Sequence, residues 1–257
     1  MTVTTNRTDY QVPVRLPLWS TVGRAYAFWL GNLPELVRIS WLWLLLTGAF
    51  AAVVSATLPE GLVADVVGEL IMVPAAASIA VAWHRLLLTG DRVGRSTYLR
   101  FDSTVVGYAV LVFLIVTLPS ALVTLMRSSF GDWVFGGLMG RSDDGALALL
   151  WVAMWLVASF YLTRLTIALP AMALGRREIT LRTAWRASRH NTWRLAWGYL
   201  LSTAPLTMAI VGLTMWAELD RGPNVVAVLN QMLDLAGMLC GMIAVSFLSL
   251  AYRHFFP

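Results

Sequence analysis

The amino-acid sequence predicts an all-α polytopic membrane protein with six transmembrane helices and interfacial amphipathic helices on the cytoplasmic side. Apolar residues make up 58% of the 257-residue chain, whereas charged residues make up only 13%. The charged residues lie mainly in the gaps between long apolar stretches. About 20 apolar residues are enough for a helix to cross a hydrocarbon layer of roughly 30 Å, so these stretches are predicted to lie in a bilayer.

The chain begins with a predicted tail and a short surface helix. Residues 1–18 are predicted to form a disordered cytoplasmic tail, and residues 19–257 a single six-helix transmembrane domain. The segment from Thr21 to Leu33 is predicted to lie on the membrane as an amphipathic helix. Its aromatic residues Tyr26, Phe28 and Trp29 are then expected at headgroup depth, where aromatic side chains concentrate.

Six apolar stretches follow the surface helix, and polar connections separate them. Pro74 and Pro119 fall inside two of the stretches and are expected to kink their helices. The connection from Arg127 to Gly145 is rich in glycine and aspartate, and that from Gly175 to Trp197 is rich in arginine and tryptophan. The predicted spans cover residues 36–56, 66–88, 104–126, 146–170, 195–216 and 225–252.

Arginine is distributed unequally between the two predicted sides of the membrane. All 19 basic residues are arginine, a feature that a GC-rich genome would also produce. Cytoplasmic loops carry an excess of basic residues, so the richer side is predicted to be cytoplasmic, and both termini should lie there. The poorer side holds Arg127, Arg141 and Arg221. The richer side holds Arg7, Arg15, Arg24, Arg38, Arg85, Arg92, Arg95, Arg100, Arg176, Arg177, Arg182, Arg186, Arg189, Arg194 and Arg253.

Two segments, residues 21–42 and 180–201, share several residues at equal spacing. The matching pairs suggest an internal repeat in which helical hairpins follow surface helices. The pairs are Thr21 and Thr180, Ala25 and Ala184, Asn32 and Asn191, Leu36 and Leu195, and Leu42 and Leu201.

Four ionisable residues fall inside or at the edge of predicted spans. Arg164 lies in the inner third of the fourth span, where it either reaches the headgroups or forms a buried ion pair or substrate contact. Asp234 lies toward the outer end of the sixth span, either in a helix contact or at the membrane boundary. Asp65 and Glu69 share a face of the second span, where they either bind a cation or relay protons, or simply mark where water begins.

Gly237 and Gly241 form a GxxxG pair in the sixth span. Small residues at this spacing let a second helix approach closely, so the pair is predicted to lie at a helix-packing surface. Asp234 falls on the same face by helical spacing.

No catalytic, cofactor or metal motif is recognised in the sequence. His84, His190 and His254 each lie beside an arginine at a span end, and none has a second ligand at metal-binding spacing. The single cysteine, Cys240, excludes an internal disulfide. The arginines form no contiguous basic domain, so nucleic acid is not an expected partner. The sequence predicts no metal, no cofactor and no enzymatic activity.

The segment from Gly175 to Trp197 is the most distinctive polar stretch of the chain. Its arginines are predicted to bind lipid headgroups of the anionic inner leaflet, either as a helix lying flat on the membrane or as an ordinary topology-setting loop. The predicted headgroup-binding residues are Arg176, Arg177, Arg182, Arg186, Arg189 and Arg194.

The region around residues 155–205 resembles a known bacterial group. The motifs are Arg164-Leu165, Leu169-Pro170-Ala171 and the run from Leu181 to Arg194. They are similar to the membrane domain attached to some glycerophosphodiester phosphodiesterases and to its stand-alone relatives. The resemblance implies a six-helix bacterial inner-membrane module without catalysis, because the phosphodiesterase activity of fused members belongs to a separate soluble domain.

Two functional hypotheses follow from these observations. The first is a non-enzymatic inner-membrane module that organises anionic lipids or other membrane proteins through its arginine-rich inner face. The alternative is a small-solute or ion transporter or channel that uses Arg164, Asp234, Asp65 or Glu69 along a polar path.

Overall fold

The structure, a computed structural model, describes most of the chain. Its described residues are 15–58, 62–92, 94, 98–119, 153, 157–158, 160–176, 178–220 and 223–257. Within these ranges the side chains of residues 55, 62–66, 68–71, 116–117, 214 and 217–235 lie outside the description. The predicted tail lies outside it as well, except for residues 15–18.

The described residues are helical, and no β-strand occurs among them. A π-helical turn, Phe113–Thr117, follows α4, and a 3-10 turn, Leu165–Ile167, precedes α5. The helices are α1 (Leu18–Gly31), α2 (Leu33–Thr57), α3 (Leu62–Thr89), α4 (Ser103–Val112), α5 (Ala168–Ala173), α6 (Leu181–Ala187), α7 (Thr192–Asp220) and α8 (Pro223–Phe255).

Four of these helices contain a segment long and apolar enough to cross a membrane: Leu33–Val54 in α2, Met72–Thr89 in α3, Thr192–Leu213 in α7 and Ala236–Phe255 in α8. They overlap the first, second, fifth and sixth predicted spans, although the segments in α3 and α8 begin later than predicted. The all-α class is therefore confirmed over the described residues, and the four helices fit a multi-pass membrane protein.

The third and fourth predicted spans are described only in part. Ser103–Ile115 and Phe160–Ala173 are apolar helices of 10–17 residues. Residues 120–126 of the third predicted span, and most of residues 146–159 of the fourth, lie outside the described residues.

Helix α8 is the central helix of the bundle. It packs against α7, α1, α3 and α5, and its residues Ile243, Phe247 and Ala251 are fully buried. Gly198 of α7 makes the contact with α8 possible, since a Cβ atom at this position would overlap the Phe247 ring. A glycine therefore sets the approach of the two long helices.

Helix α1 packs against the bundle with the aromatic residues that were expected at headgroup depth. The Phe28 ring lies edge-on to Trp83 of α3, with ring centroids 5.3 Å apart. The Trp29 indole N–H donates to the carbonyl oxygen of Leu239, 3.1 Å away. These partly buried side chains contact other helices, and their position at headgroup depth stays a prediction.

A proline in α7 explains a third contact of α1. Pro205 lies inside the helix and has no N–H, so the carbonyl of Leu201, four residues earlier, loses its intrahelical donor. The Tyr26 hydroxyl donates to this carbonyl at 3.1 Å and also lies 3.3 Å from the carbonyl oxygen of Ser202. The tyrosine thus satisfies a backbone acceptor that the proline leaves free.

The segment 175–197 is not one continuous helix. Gly175, with φ +72°, ends α5: the Gly175 N–H donates to the carbonyl of Met172, and the Arg176 N–H to that of Ala171. This is the Schellman arrangement, which favours glycine because other residues rarely adopt positive φ. Helix α6 then has only seven residues, and Leu195 belongs to α7, where it is buried.

The two segments of the proposed repeat have similar local structure. Each contains a shorter helix, an asparagine and then a long helix: α1, Asn32 and α2 in one, and α6, Asn191 and α7 in the other. Ala25 and Ala184 are both fully buried, and the later pair, Leu36 and Leu195, is buried as well. Thr21, however, is buried whereas its counterpart Thr180 is exposed, so the repeat stays a hypothesis.

Candidate functional site

Hydrogen bonds join several helix ends at one end of the bundle, which we call the arginine-rich end. The Leu16 N–H donates to Asn191 Oδ1 at 2.8 Å, just before α7 begins. Arg85, near the end of α3, donates through Nε to the carbonyl of Ala173, the last residue of α5, at 2.8 Å. A cation at a helix C-terminus is favourable because the free carbonyls carry partial negative charge.

A buried histidine connects three helices near this end. His84 of α3 is fully buried, with Nδ1 2.6 Å from Ser249 Oγ of α8 and Nε2 3.0 Å from the Tyr108 hydroxyl of α4. Ser249 Oγ donates its own proton to the carbonyl of Val245, so it accepts from His84 Nδ1–H. Tyr108 then donates to Nε2. Both ring nitrogens of the neutral histidine have hydrogen-bond partners, so His84 links α3 to α4 and α8.

Arg164 lies near the inner end of the fourth predicted span, directly before the 3-10 turn Leu165–Ile167, and its side chain contacts α6. Its side chain is only 5% exposed, and its guanidinium carbon lies 3.7 Å from the centre of a Trp185 ring. Nε donates to Ser188 Oγ at 3.3 Å, and Nη2 donates to the carbonyl oxygen of Trp185. These contacts attach the C-terminal end of α6 to the bundle.

An aromatic ladder runs beside Arg164 from α6 to α7. Trp185 stacks on Tyr161, and Tyr161 in turn contacts Phe160. Phe160 contacts Trp193, and Trp193 contacts Trp197, with ring centroids 5.1 and 5.3 Å apart. Trp193 is 62% exposed. Exposed tryptophan and tyrosine at a span end are typical of the interface between water and hydrocarbon.

The predicted headgroup-binding arginines lie around α6 and at the start of α7. Arg176, Arg182, Arg186 and Arg189 are exposed, whereas Arg177 lies outside the described residues. Arg176 Nη1 donates to the Tyr252 hydroxyl at 3.3 Å. Arg194 is half-buried, and its Nη1 donates to the carbonyl oxygen of Leu16 at 2.6 Å, so it serves the fold as well.

The ion pairs of the described residues involve neither Arg164 nor the arginines of α6. They join Arg38 to Glu35 and Arg100 to Asp102. No described carboxylate therefore forms an ion pair with Arg164 or with the exposed arginines of α6. This leaves a strongly positive surface.

Asp102 begins α4 and organises the connection before it. Its carboxylate accepts from the backbone N–H groups of Thr104 and Val105 and pairs with Arg100. Burial opposes ionisation, but the Val105 and Arg100 hydrogen bonds outweigh it and lower the pKa of Asp102. Nearby, burial and the Asp102 charge raise the pKa of Tyr98 to about 12.

Several predicted site residues are described only by their backbone. The side chains of Asp65, Glu69 and Asp234 lie outside the described residues, so the transport hypothesis that uses them stays a prediction. Gly237 faces Ile210 of α7, since a Cβ atom on it would lie 3.9 Å from Ile210 Cδ1, whereas a Cβ atom on Gly241 would have no neighbour within 4 Å.

Some of the contributing residues are absent from the sequence-based prediction. Gly198 and the hydroxyl partners of His84 look unremarkable in the sequence, because only the packing shows what they touch. Pro205, in contrast, lies inside the predicted span 195–216, so its effect could have been predicted. Because proline has no backbone N–H, the carbonyl four residues earlier in a helix loses its hydrogen-bond donor.

The described residues bring together no group of three or more histidine, cysteine, aspartate or glutamate side chains that would hold a metal ion. The arrangement at the arginine-rich end is suited to binding an anion at a membrane interface, since it combines arginine with exposed aromatic side chains. Comparison of the chain with protein-family models, curated proteins and solved structures found no match.

Proposed function

We propose that this chain is a six-span bacterial inner-membrane module that binds anionic lipid headgroups at its arginine-rich end and catalyses no reaction. In this proposal the arginine-rich end faces the cytoplasm, where the inner leaflet is negatively charged. The resemblance of residues 155–205 to the membrane domain of some glycerophosphodiester phosphodiesterases supports the same assignment.

One observation carries the lipid-binding proposal: exposed arginines surround α6 and have no described acidic partner. Arg182, Arg186 and Arg189 are all exposed. Arginine binds phosphate oxygens through two parallel hydrogen bonds, which makes it suited to phosphate headgroups. Each basic residue near an anionic surface contributes about 1 kcal/mol.

The exposed aromatic residues support a membrane-facing position for the same surface. The exposed members of the aromatic ladder are Tyr161, Trp185, Trp193 and Trp197. Amphipathic rings of this kind favour headgroup depth. The arginines of α6 would then lie at the level of the lipid phosphates.

The proposal is tested by measuring which lipids accompany the protein. The full-length protein is extracted into lipid nanodiscs from membranes of known composition, and co-purified phosphatidylglycerol is quantified against phosphatidylethanolamine. We expect phosphatidylglycerol to be enriched around the wild type. The double variant Arg182→Gln, Arg186→Gln should lose most of this enrichment, because it removes two guanidinium groups that bind headgroup phosphates at the surface around α6.

The matched control removes two arginines outside α6. Arg92→Gln, Arg253→Gln changes the net charge by the same amount, and both residues are exposed. Enrichment should persist in this control. Equal losses in the two double variants would show that only net charge matters, and no enrichment in the wild type would refute lipid binding at this surface.

A further inference from the structure

Two arginines lie close together at the arginine-rich end, although like charges repel. Arg164 is buried, and its Nε donates at 3.3 Å to Oγ of Ser188, the residue directly before Arg189. Arg189 itself is exposed and lies in the turn between α6 and α7. The fold therefore brings a buried cation and an exposed cation to the same place.

The described hydrogen-bond partners of Arg164 are uncharged. Nε bonds to Ser188 Oγ, and Nη2 bonds to the carbonyl of Trp185. A guanidinium has five N–H donors, and these contacts use two of them. The C-terminal carbonyls of α6 carry a partial negative charge that offsets only a fraction of one positive charge.

A counter-charge for this pair is missing from the described residues. The described ion pairs involve Glu35 and Asp102, which lie in other parts of the chain. Glu178, on the loop before α6, acts electrostatically on Tyr252, to which Arg176 is bonded. The guanidinium of Arg164 keeps N–H donors that no described group accepts from, and a bound anion would accept from them and offset the positive charge.

We propose that Arg164 and Arg189, with Trp185 beside them, form a specific binding site for a phosphate oxyanion. The inference rests on the proposed lipid-binding function and deepens it, because it names one site within the positive surface. The aromatic ladder next to Arg164 places this site at headgroup depth. The phosphodiester of an anionic lipid and a soluble phosphate share the recognised chemistry.

The test counts bound ligands on the intact protein. The full-length protein is purified in mild detergent, and phosphatidylglycerol is titrated while its binding is followed by native mass spectrometry. A second arm titrates inorganic phosphate and follows it by phosphorus NMR line broadening. We expect one saturable phosphatidylglycerol site per chain in the wild type.

Three variants separate the site from the rest of the surface. Arg164→Gln should weaken the saturable site by about tenfold or more, because it removes a charged hydrogen-bond donor. Arg189→Gln should weaken it by about fivefold, because it removes a surface charge. Arg253→Gln is the control, since Arg253 is exposed and lies near the C-terminus of α8; binding should stay within about twofold.

The Arg189 variant keeps the test informative if Arg164→Gln does not fold, because the described hydrogen bonds of Arg189 are made by its backbone alone. Saturable lipid binding that depends on Arg164 and Arg189 supports a lipid site, and saturable phosphate binding with the same dependence supports a soluble phosphate. Phosphatidylglycerol enrichment that persists unchanged in both variants overturns the specific site and leaves the proposed function standing. If the wild type shows no preference for anionic lipid, both the specific site and the proposed lipid-binding function are refuted.

Discussion

Single residues at the contacts of α1 show how a membrane protein satisfies its backbone. Pro205 removes a helical hydrogen bond inside a candidate span, and the Tyr26 hydroxyl supplies a replacement donor to Leu201. In hydrocarbon an unsatisfied carbonyl costs several kcal/mol, so helix-breaking residues are tolerated where neighbours restore the bond. The tyrosine therefore stabilises the bundle through this carbonyl.

Replacement of Tyr26 and Pro205 tests this coupling. Tyr26→Phe should lower the free energy of unfolding by about 1 kcal/mol, because the Leu201 carbonyl loses its donor. Pro205→Ala restores the N–H of residue 205, which can then donate to the Leu201 carbonyl. In this background Tyr26→Phe should lower the free energy of unfolding much less. A double-mutant cycle from reversible unfolding in detergent measures the difference.

The control for this cycle is Tyr161→Phe, because Tyr161 is exposed and no described hydrogen bond uses its hydroxyl. It should leave stability unchanged. Additive effects of Tyr26→Phe and Pro205→Ala would contradict the proposed coupling.

At the scale of helices, the pairing of α7 and α8 depends on one glycine. The sequence pointed to the GxxxG pair Gly237 and Gly241 as the packing surface. Gly237 does face α7, but the tight approach is at Gly198, opposite Phe247. Gly198 packs against the large ring of Phe247 on the other helix. The sequence does not predict this pairing, because it depends on the register of the two helices.

Substitution of Gly198 by alanine is predicted to separate the two helices. A Cβ atom there overlaps the buried Phe247 ring, and overpacking of this kind costs roughly 1–3 kcal/mol. The matched control is Gly212→Ala in the same helix, where a Cβ atom meets nothing within 4 Å. That variant should be neutral or slightly stabilised, since alanine favours helix more than glycine does by up to about 1 kcal/mol.

Thermal unfolding in detergent, followed by circular dichroism, distinguishes the two glycine variants. Equal midpoints for Gly198→Ala and Gly212→Ala would show that the α7–α8 contact does not need a glycine. The pair is informative because both changes add the same methyl group to α7.

At the scale of the whole molecule, the distribution of arginine and the packing of helix ends agree. The ends of α3, α5 and α8 and the start of α7 are joined by hydrogen bonds at the arginine-rich end. The connections that are rich in arginine along the sequence thus lie beside the helix ends at the arginine-rich end of the bundle. The described residues contain four candidate spans. The proposal of six spans requires that residues 104–126 and 146–170 also cross the membrane.

Cysteine labelling distinguishes six spans from four. In a Cys240→Ser background, single cysteines replace Ser142 in the long connection, Ser20 in α1 and Pro257 at the C-terminus. With six spans, a membrane-impermeant thiol reagent should label position 142 in intact spheroplasts and the other two only after permeabilisation. If residues 104–126 and 146–170 do not cross the membrane, position 142 lies on the same side as the termini. It is then labelled only after permeabilisation.

The helical class, the four long apolar helices that are candidate spans, and the arginine-rich segment around α6 could all be predicted from the sequence. These follow from apolar length and charge, which act locally along the chain. The folded structure was needed to show that Arg164 contacts the end of α6 and that His84 joins α3, α4 and α8. It was also needed to show that Tyr26, Phe28 and Trp29 contact other helices. Such contacts join residues distant in sequence, and their geometry depends on how the helices rotate and cross.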